Sequence, residues 1–165
     1  MKKIILVLFL SSSFSTFAQT LFPEKCLGVW HGMMHIYNQG ILRDSVKVKF
    51  TVAKTAEANA WTWKMEYLSE KMPMVKDYVL KLKDKEKGIY STDEGGGLEL
   101  MDYQFGNKLY SVFEVSGVLL TASYEWIDKS NLVFEVTSGK KGESPVKDIT
   151  NFSVANVQRV VMRKQ

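Results

Sequence analysis

Two histidines and a methionine alternate along one stretch of the chain, His31, Met33 and His35. A period of two puts all three on one face of a strand and Met34 on the other. Imidazole with thioether is a soft site for copper, and imidazole also suits zinc. Same-face neighbours on a strand stand roughly 7 Å apart, so closing a metal shell would take a ligand from another strand. The expectation is histidines without a metal, and no cofactor.

Four glutamates form a second constellation: Glu66, Glu114, Glu125 and Glu135. Facing a lumen, they could contact a ligand or exchange protons with it. Facing out, they are solvated surface. The residues that alternate with the last three are Phe113, Leu120, Tyr124, Trp126, Leu132, Phe134 and Val136. That set makes the better core, so the glutamates are expected on the outside.

The third set is aromatic. Trp61, Trp63, Tyr67, Tyr78, Phe113, Tyr124 and Trp126 fall on the apolar side of their segments, with Met65 among them. An aromatic interior suits an apolar or flat ligand, but large rings can also simply fill a small barrel. The fourth feature is Asp93-Glu94-Gly95-Gly96-Gly97. It lacks the Gly-Lys-Ser/Thr of a phosphate loop and the spacing of a calcium loop. It reads as a wide hairpin or a lid.

The elements that must position these residues are strands. Alternation with period two runs along the chain between short turns. Val46, Val48, Phe50 and Val52 face one way, with Lys47, Lys49 and Thr51 between them. Trp61–Leu68 follows, Pro73 breaks the connection, and Tyr78, Leu80 and Leu82 resume the pattern. Further strands are expected over Leu98–Phe105, Leu109–Val115, Val118–Ile127, Leu132–Val136 and Val157–Arg163. Ser116-Gly117 is a two-residue hairpin signal. No helix longer than two turns is expected. Sequential hairpins with short loops predict an all-β, antiparallel up-and-down barrel of about 8–10 strands, closed so that it has no edge. An open two-sheet sandwich is the rival.

The chain's start reads as an address. Lys2-Lys3, the apolar run Ile4–Leu10 and a small-residue site ending at Ala18 match a secretory signal peptide over residues 1–18. That leaves 19–165 as one barrel domain, periplasmic or secreted. The apolar run is too short to span a bilayer, and no integral membrane segment follows it. Removing residues 1–18 takes away two lysines, leaving 20 basic and 18 acidic side chains, net +2. Such a balance is no footprint for nucleic acid. A content of 45% hydrophobic and 12% aromatic residues excludes disorder. The single cysteine, Cys26, cannot form an internal disulfide.

Gly28-Val29-Trp30 opens the first strand, and Arg159 and Arg163 lie in the last. This resembles the lipocalin and calycin superfamily, where a Gly-x-Trp near the start meets a basic residue of the final strand. The resemblance implies that Gly28 and Trp30 close the narrow end of a lipocalin-like barrel, with Arg159 or Arg163 over the indole. Stacking of a guanidinium on an indole supplies the physical reason. The longer string Gly28-x-Trp30-x-Gly32 also resembles the opening of the haem-binding nitrobindins. Those hold iron through a histidine near the C-terminal end, and this chain has none after His35. The chain is similar as well to small exported proteins of Gram-negative bacteria related to Bacteroides.

Together these features point to a non-enzymatic binder of a small apolar or amphipathic molecule. The aromatic set forms the ligand-binding wall, and the loops at Gly95–Gly97 and around Pro73 gate the mouth. Two rivals come from other classes. One is a structural or protein-interaction module with a filled core. The other is a hydrolase or isomerase using Glu114, Glu125 or Glu135, which requires those carboxylates to face a cavity.

Overall fold

The structure is a computed structural model, and it describes residues 20–144 and 146–165. The expected signal peptide therefore lies outside the described residues, which form one short helix and ten strands. The helix α1 is Phe22–Cys26. The strands are β1 Gly28–Asn38, β2 Ile41–Lys54, β3 Ala60–Tyr67, β4 Met74–Asp84 and β5 Ile89–Gly95. They continue as β6 Leu98–Phe105, β7 Lys108–Val115, β8 Val118–Trp126, β9 Asn131–Gly142 and β10 Asn151–Lys164.

Each strand pairs antiparallel with its neighbours in sequence, and β1 pairs with β10 to close the barrel. Tight turns drive this order. Gln39-Gly40 and Ser116-Gly117 both take positive φ at their two central residues, the geometry whose twist matches a hairpin. Closure leaves no free edge, so the sandwich reading falls away.

The core follows the pleat. Trp30 and Met34 of β1, Val48, Phe50 and Val52 of β2, and Trp61, Trp63 and Met65 of β3 point inward and are buried. Leu80, Tyr90, Leu109, Leu132, Val160 and Met162 complete the circuit. The outer face carries ion pairs between residues directly opposite in register. Lys49 meets Glu66 at 2.8 Å, Lys108 meets Glu125 at 3.0 Å, and Arg159 meets Glu135 at 3.3 Å. Such exposed pairs contribute roughly 0–1 kcal/mol each; their presence fixes which face is out.

The wall is not uniform. Strands β7 and β8 pair over all eight of their hairpin positions, from Lys108↔Glu125 to Val115↔Val118. Strands β6 and β7 pair only from Phe105↔Lys108 to Asp102↔Ser111 and then part. Past that point the Ser111 hydroxyl donates to the Met101 carbonyl at 3.1 Å.

One end is plugged by α1. Five residues cannot hold a helix by themselves, so packing must. Pro23 starts the turn with its preset φ, and Phe22 and Cys26 are fully buried. Three tryptophans hold the plug. Trp30 Nε1 donates to the Cys26 carbonyl at 2.7 Å, and Trp61 Nε1 donates to Glu24 Oε1 at 2.9 Å. Lys25 Nζ stands 5.5 Å from the Trp126 ring centre. Lys54 adds an ion pair to Glu24 at 3.2 Å.

Candidate functional site

Above the plug, a cluster of rings fills the middle of the barrel. Phe50 meets Trp63 edge-on at 4.9 Å and stacks on Tyr124 at 5.1 Å; Tyr124 lies 4.5 Å from Phe134. Beyond the cluster, toward the end bearing the β3–β4, β5–β6 and β7–β8 turns, the lumen opens into a cavity of about 90 Å³. That is room for roughly six to nine waters. It falls short of the ~300–1,000 Å³ typical of sites for larger ligands.

The cavity has two unlike sides. Trp63, Met65, Phe113, Leu120, Tyr124, Phe134 and Val136 make an apolar and aromatic wall. Thr92, Glu94, Asp102 and Ser111, from β5, β6 and β7, make a polar stripe, with Lys76 from β4. Tyr67 and Tyr78 stand between the two. The parting of β6 from β7 falls within the stripe, since Leu100 and Asp102 line one side of it and Ser111 and Phe113 the other.

Asp102 is the notable group, with only 5% of its surface exposed. Burial pushes its carboxyl up to about 7; the Thr92 hydroxyl, which donates to Oδ2 at 2.8 Å, works the other way. A buried carboxylate without a cation beside it is costly, and no ion pair of Asp102 is present among the described residues. Burial and the neighbouring Glu94 carboxylate raise the Tyr78 phenol. Burial alone pushes Tyr67 up to about 12. Tyr124 is raised well above its ordinary value, by burial first. Lys76 Nζ lies 6.0 Å from the Tyr78 ring centre. Trp63 Nε1 and, at the plugged end, Trp126 Nε1 are buried and have no acceptor among the described residues.

The sequence-predicted residues divide between the two ends. Trp63, Tyr67, Tyr78, Phe113 and Tyr124 line the cavity. Trp61 and Trp126 do not; they hold α1 at the opposite end. Gly28 and Trp30 sit at the plugged end, and the cation over Trp30 is Lys164, 5.4 Å from the ring centre. Arg159 and Arg163 point outward, one toward Glu135, the other paired in register with His31. The pleat explains this. Val160 and Met162 face in, so the next inward position is Lys164. Gly28 lets its chain pass, because a Cβ there would stand 2.6 Å from Lys164 Cε.

Glu66, Glu125 and Glu135 are on the outside in the ion pairs described, and Glu114 is exposed. The hydrolase reading built on Glu114, Glu125 and Glu135 therefore loses the condition it required. The carboxylates that do face the cavity, Glu94 and Asp102, were not singled out as lumenal. The strand Leu98–Phe105 conceals Asp102, because its outward residues Met101, Tyr103 and Phe105 are more apolar than its inward ones. His31, Met33 and His35 face outward; His35 Nδ1 and Ser45 Oγ are 2.9 Å apart. No group of three metal-ligating side chains is assembled among the described residues.

No protein-family model matches the chain, and no curated protein does. Solved structures do. The S-type phycobiliprotein lyase CPES of Guillardia theta superposes with a TM-score of 0.64 at 9% identity, over 87% of this chain and 90% of that one. A Nostoc punctiforme protein of unknown function, from the DUF3598 family, superposes with a TM-score of 0.61 at 11% identity over 87% of this chain. The match spans about half of that protein's length, 49%. Likeness at such identity shows the fold: this chain is a lipocalin/calycin-like barrel of ten strands.

Proposed function

We propose that the barrel is a binding protein for a small amphipathic molecule, held without covalent chemistry in the cavity at its open end. One observation carries the reading: a cavity with an aromatic wall and a polar stripe, floored by the ring cluster, in a barrel that α1 plugs at the opposite end. The wall supplies apolar burial, at ~25 cal/mol per Å². The stripe orients the ligand through a few placed polar groups. The β5–β6 turn at Gly95–Gly97 and the β3–β4 connection around Pro73 border the mouth and admit the ligand. The volume limits the ligand, or the part of it that enters, to about one ring with a short substituent. The similarity to a phycobiliprotein lyase supports the reading at the level of the barrel only.

We carry forward export as part of the same proposal: residues 1–18 direct the chain to the periplasm or beyond. The N-terminal sequence of protein recovered from the cell envelope and medium tests that; a retained Met1 sinks it. Native mass spectrometry before and after denaturation tests the binding reading. A small molecule released only on denaturation is the expected result. A bare chain that also takes up no added single-ring compound overturns it.

A second reading has its own observation. Met101, Tyr103, Phe105, Tyr110 and Val112 are all exposed on the adjoining outer faces of β6 and β7. Neighbouring exposed apolar side chains of this kind favour a protein contact, which would make the barrel an interaction module.

A further inference from the structure

We propose that the cavity selects a small organic cation, an amine attached to an apolar or aromatic body, over neutral and anionic molecules of the same shape. The inference deepens the binding reading and rests on it. Two carboxylates, Glu94 and Asp102, face the cavity against one ammonium, Lys76. Lys76 leans over the Tyr78 ring at 6.0 Å, and its flexible stem lets the charge swing toward solvent. Asp102 is held deep on the stripe by Thr92, with no cation paired to it among the described residues. Trp63 and Tyr124 line the same cavity.

Carboxylates and aromatic rings lining one cavity are complementary to a desolvated ammonium on an apolar body. The ring quadrupoles attract the cation, and the carboxylates accept charge-assisted hydrogen bonds from it. A neutral alcohol of the same size keeps the apolar contact and loses the charge. A carboxylate ligand meets like charge. Binding also has a pH sense. The ammonium favours ionised Asp102, so uptake of the amine releases a proton from Asp102 and strengthens as pH rises through about 7. The other titratable groups lining the cavity with Asp102 are Glu94, Lys76, Tyr67, Tyr78 and Tyr124, and burial raises all three phenols.

The test is isothermal titration of the full chain with benzylamine, benzyl alcohol and benzoate at pH 8 and at pH 6. Benzylamine is expected to bind about tenfold tighter than benzyl alcohol at pH 8, with a smaller preference at pH 6 and benzoate weakest. Asp102→Asn is expected to cut the ratio of benzylamine to benzyl alcohol affinity at pH 8 toward its value at pH 6. An amide can still accept the Thr92 bond, and a circular-dichroism melt checks the fold. Glu94→Gln, nearer the mouth, gives a second and smaller reduction. Equal binding of amine and alcohol, or tighter binding of benzoate, overturns the cation inference and leaves the binding reading standing. Failure of all three to bind overturns both.

Discussion

The two ends of this barrel are built from the same kinds of residues to opposite effect. At the plugged end, Trp30, Trp61 and Trp126 each meet a partner on α1, or the backbone beside it, and the space is filled. At the open end, Trp63 presents a ring with an unpartnered N–H, and Asp102 is buried beside Thr92 rather than beside a cation. The first arrangement leaves no lumen and is a device for stability, although Trp126 Nε1 is buried there without an acceptor among the described residues. The second leaves polar capacity unused next to space, which is how binding sites differ from cores. Aromatic richness alone does not tell the two apart; the space beside the rings and the carboxylates that face it do.

The ring cluster that separates the ends is the most sensitive place to break the contrast. Phe50→Ala should cost about 3–5 kcal/mol of stability, since a fully buried ring is lost between Trp63 and Tyr124. Denaturant melts read this, and a loss under about 1 kcal/mol would mean that the ends are not divided by a rigid core.

Next in size is the pH dependence of Asp102. Its folded-state carboxyl titrates near 7, against 3.8 ordinarily, so the folded state holds the proton more tightly. Stability from this group is therefore intact below about pH 4, falls as pH rises toward 7, and is level above. Asp102→Asn removes the penalty. At pH 8 the variant should gain on the wild type, with about 4 kcal/mol as the ceiling, and the gain should vanish near pH 4. Paired thermal melts across that range check it; a difference that does not change with pH would place Asp102 in a more solvated site.

A smaller effect belongs to the plugged end. Lys164→Ala removes a cation over Trp30 and the stem packed on Gly28, for an expected loss of about 1 kcal/mol. Arg159→Ala and Arg163→Ala should each cost less, which ranks Lys164 as the closing residue. Smallest is Glu125→Gln. It breaks only the outer pair with Lys108, so stability should move by less than about 1 kcal/mol and benzylamine affinity not at all. A change in affinity would place Glu125 in the lumen.

Much of the fold was legible in the sequence because the barrel's inner and outer faces obey alternation where it matters most. The segments Val46–Val52, Trp61–Tyr67 and Val118–Trp126 have unambiguous inner sides, and their hairpins leave closure as the solution to the edges. The site was less legible, for two physical reasons. In Leu98–Phe105 the apolar residues face outward around the parted β6–β7 seam, so polarity misleads about which side is in. And the helix Phe22–Cys26 is too short to show a period, though Pro23 is a start signal. Without the helix, Trp61 and Trp126 had no plug to hold and counted as lumen. Charge alone points to Arg159 and Arg163, whereas counting inward positions from Val160 and Met162 reaches Lys164.

The single thiol sits in the plug. Cys26 is fully buried, with burial pushing it up to about 12, so neither a reagent nor a thiolate is at hand while α1 is docked. Labelling of Cys26 therefore requires the five-residue turn to leave its seat. Each chain can then take one label, and only during the moments when that end stands open. The labelling rate is a clock for local opening at one pole of the barrel, read without touching the other. Filling the cavity should leave that clock unchanged if the ring cluster insulates the poles, and should slow it if the barrel moves as a whole.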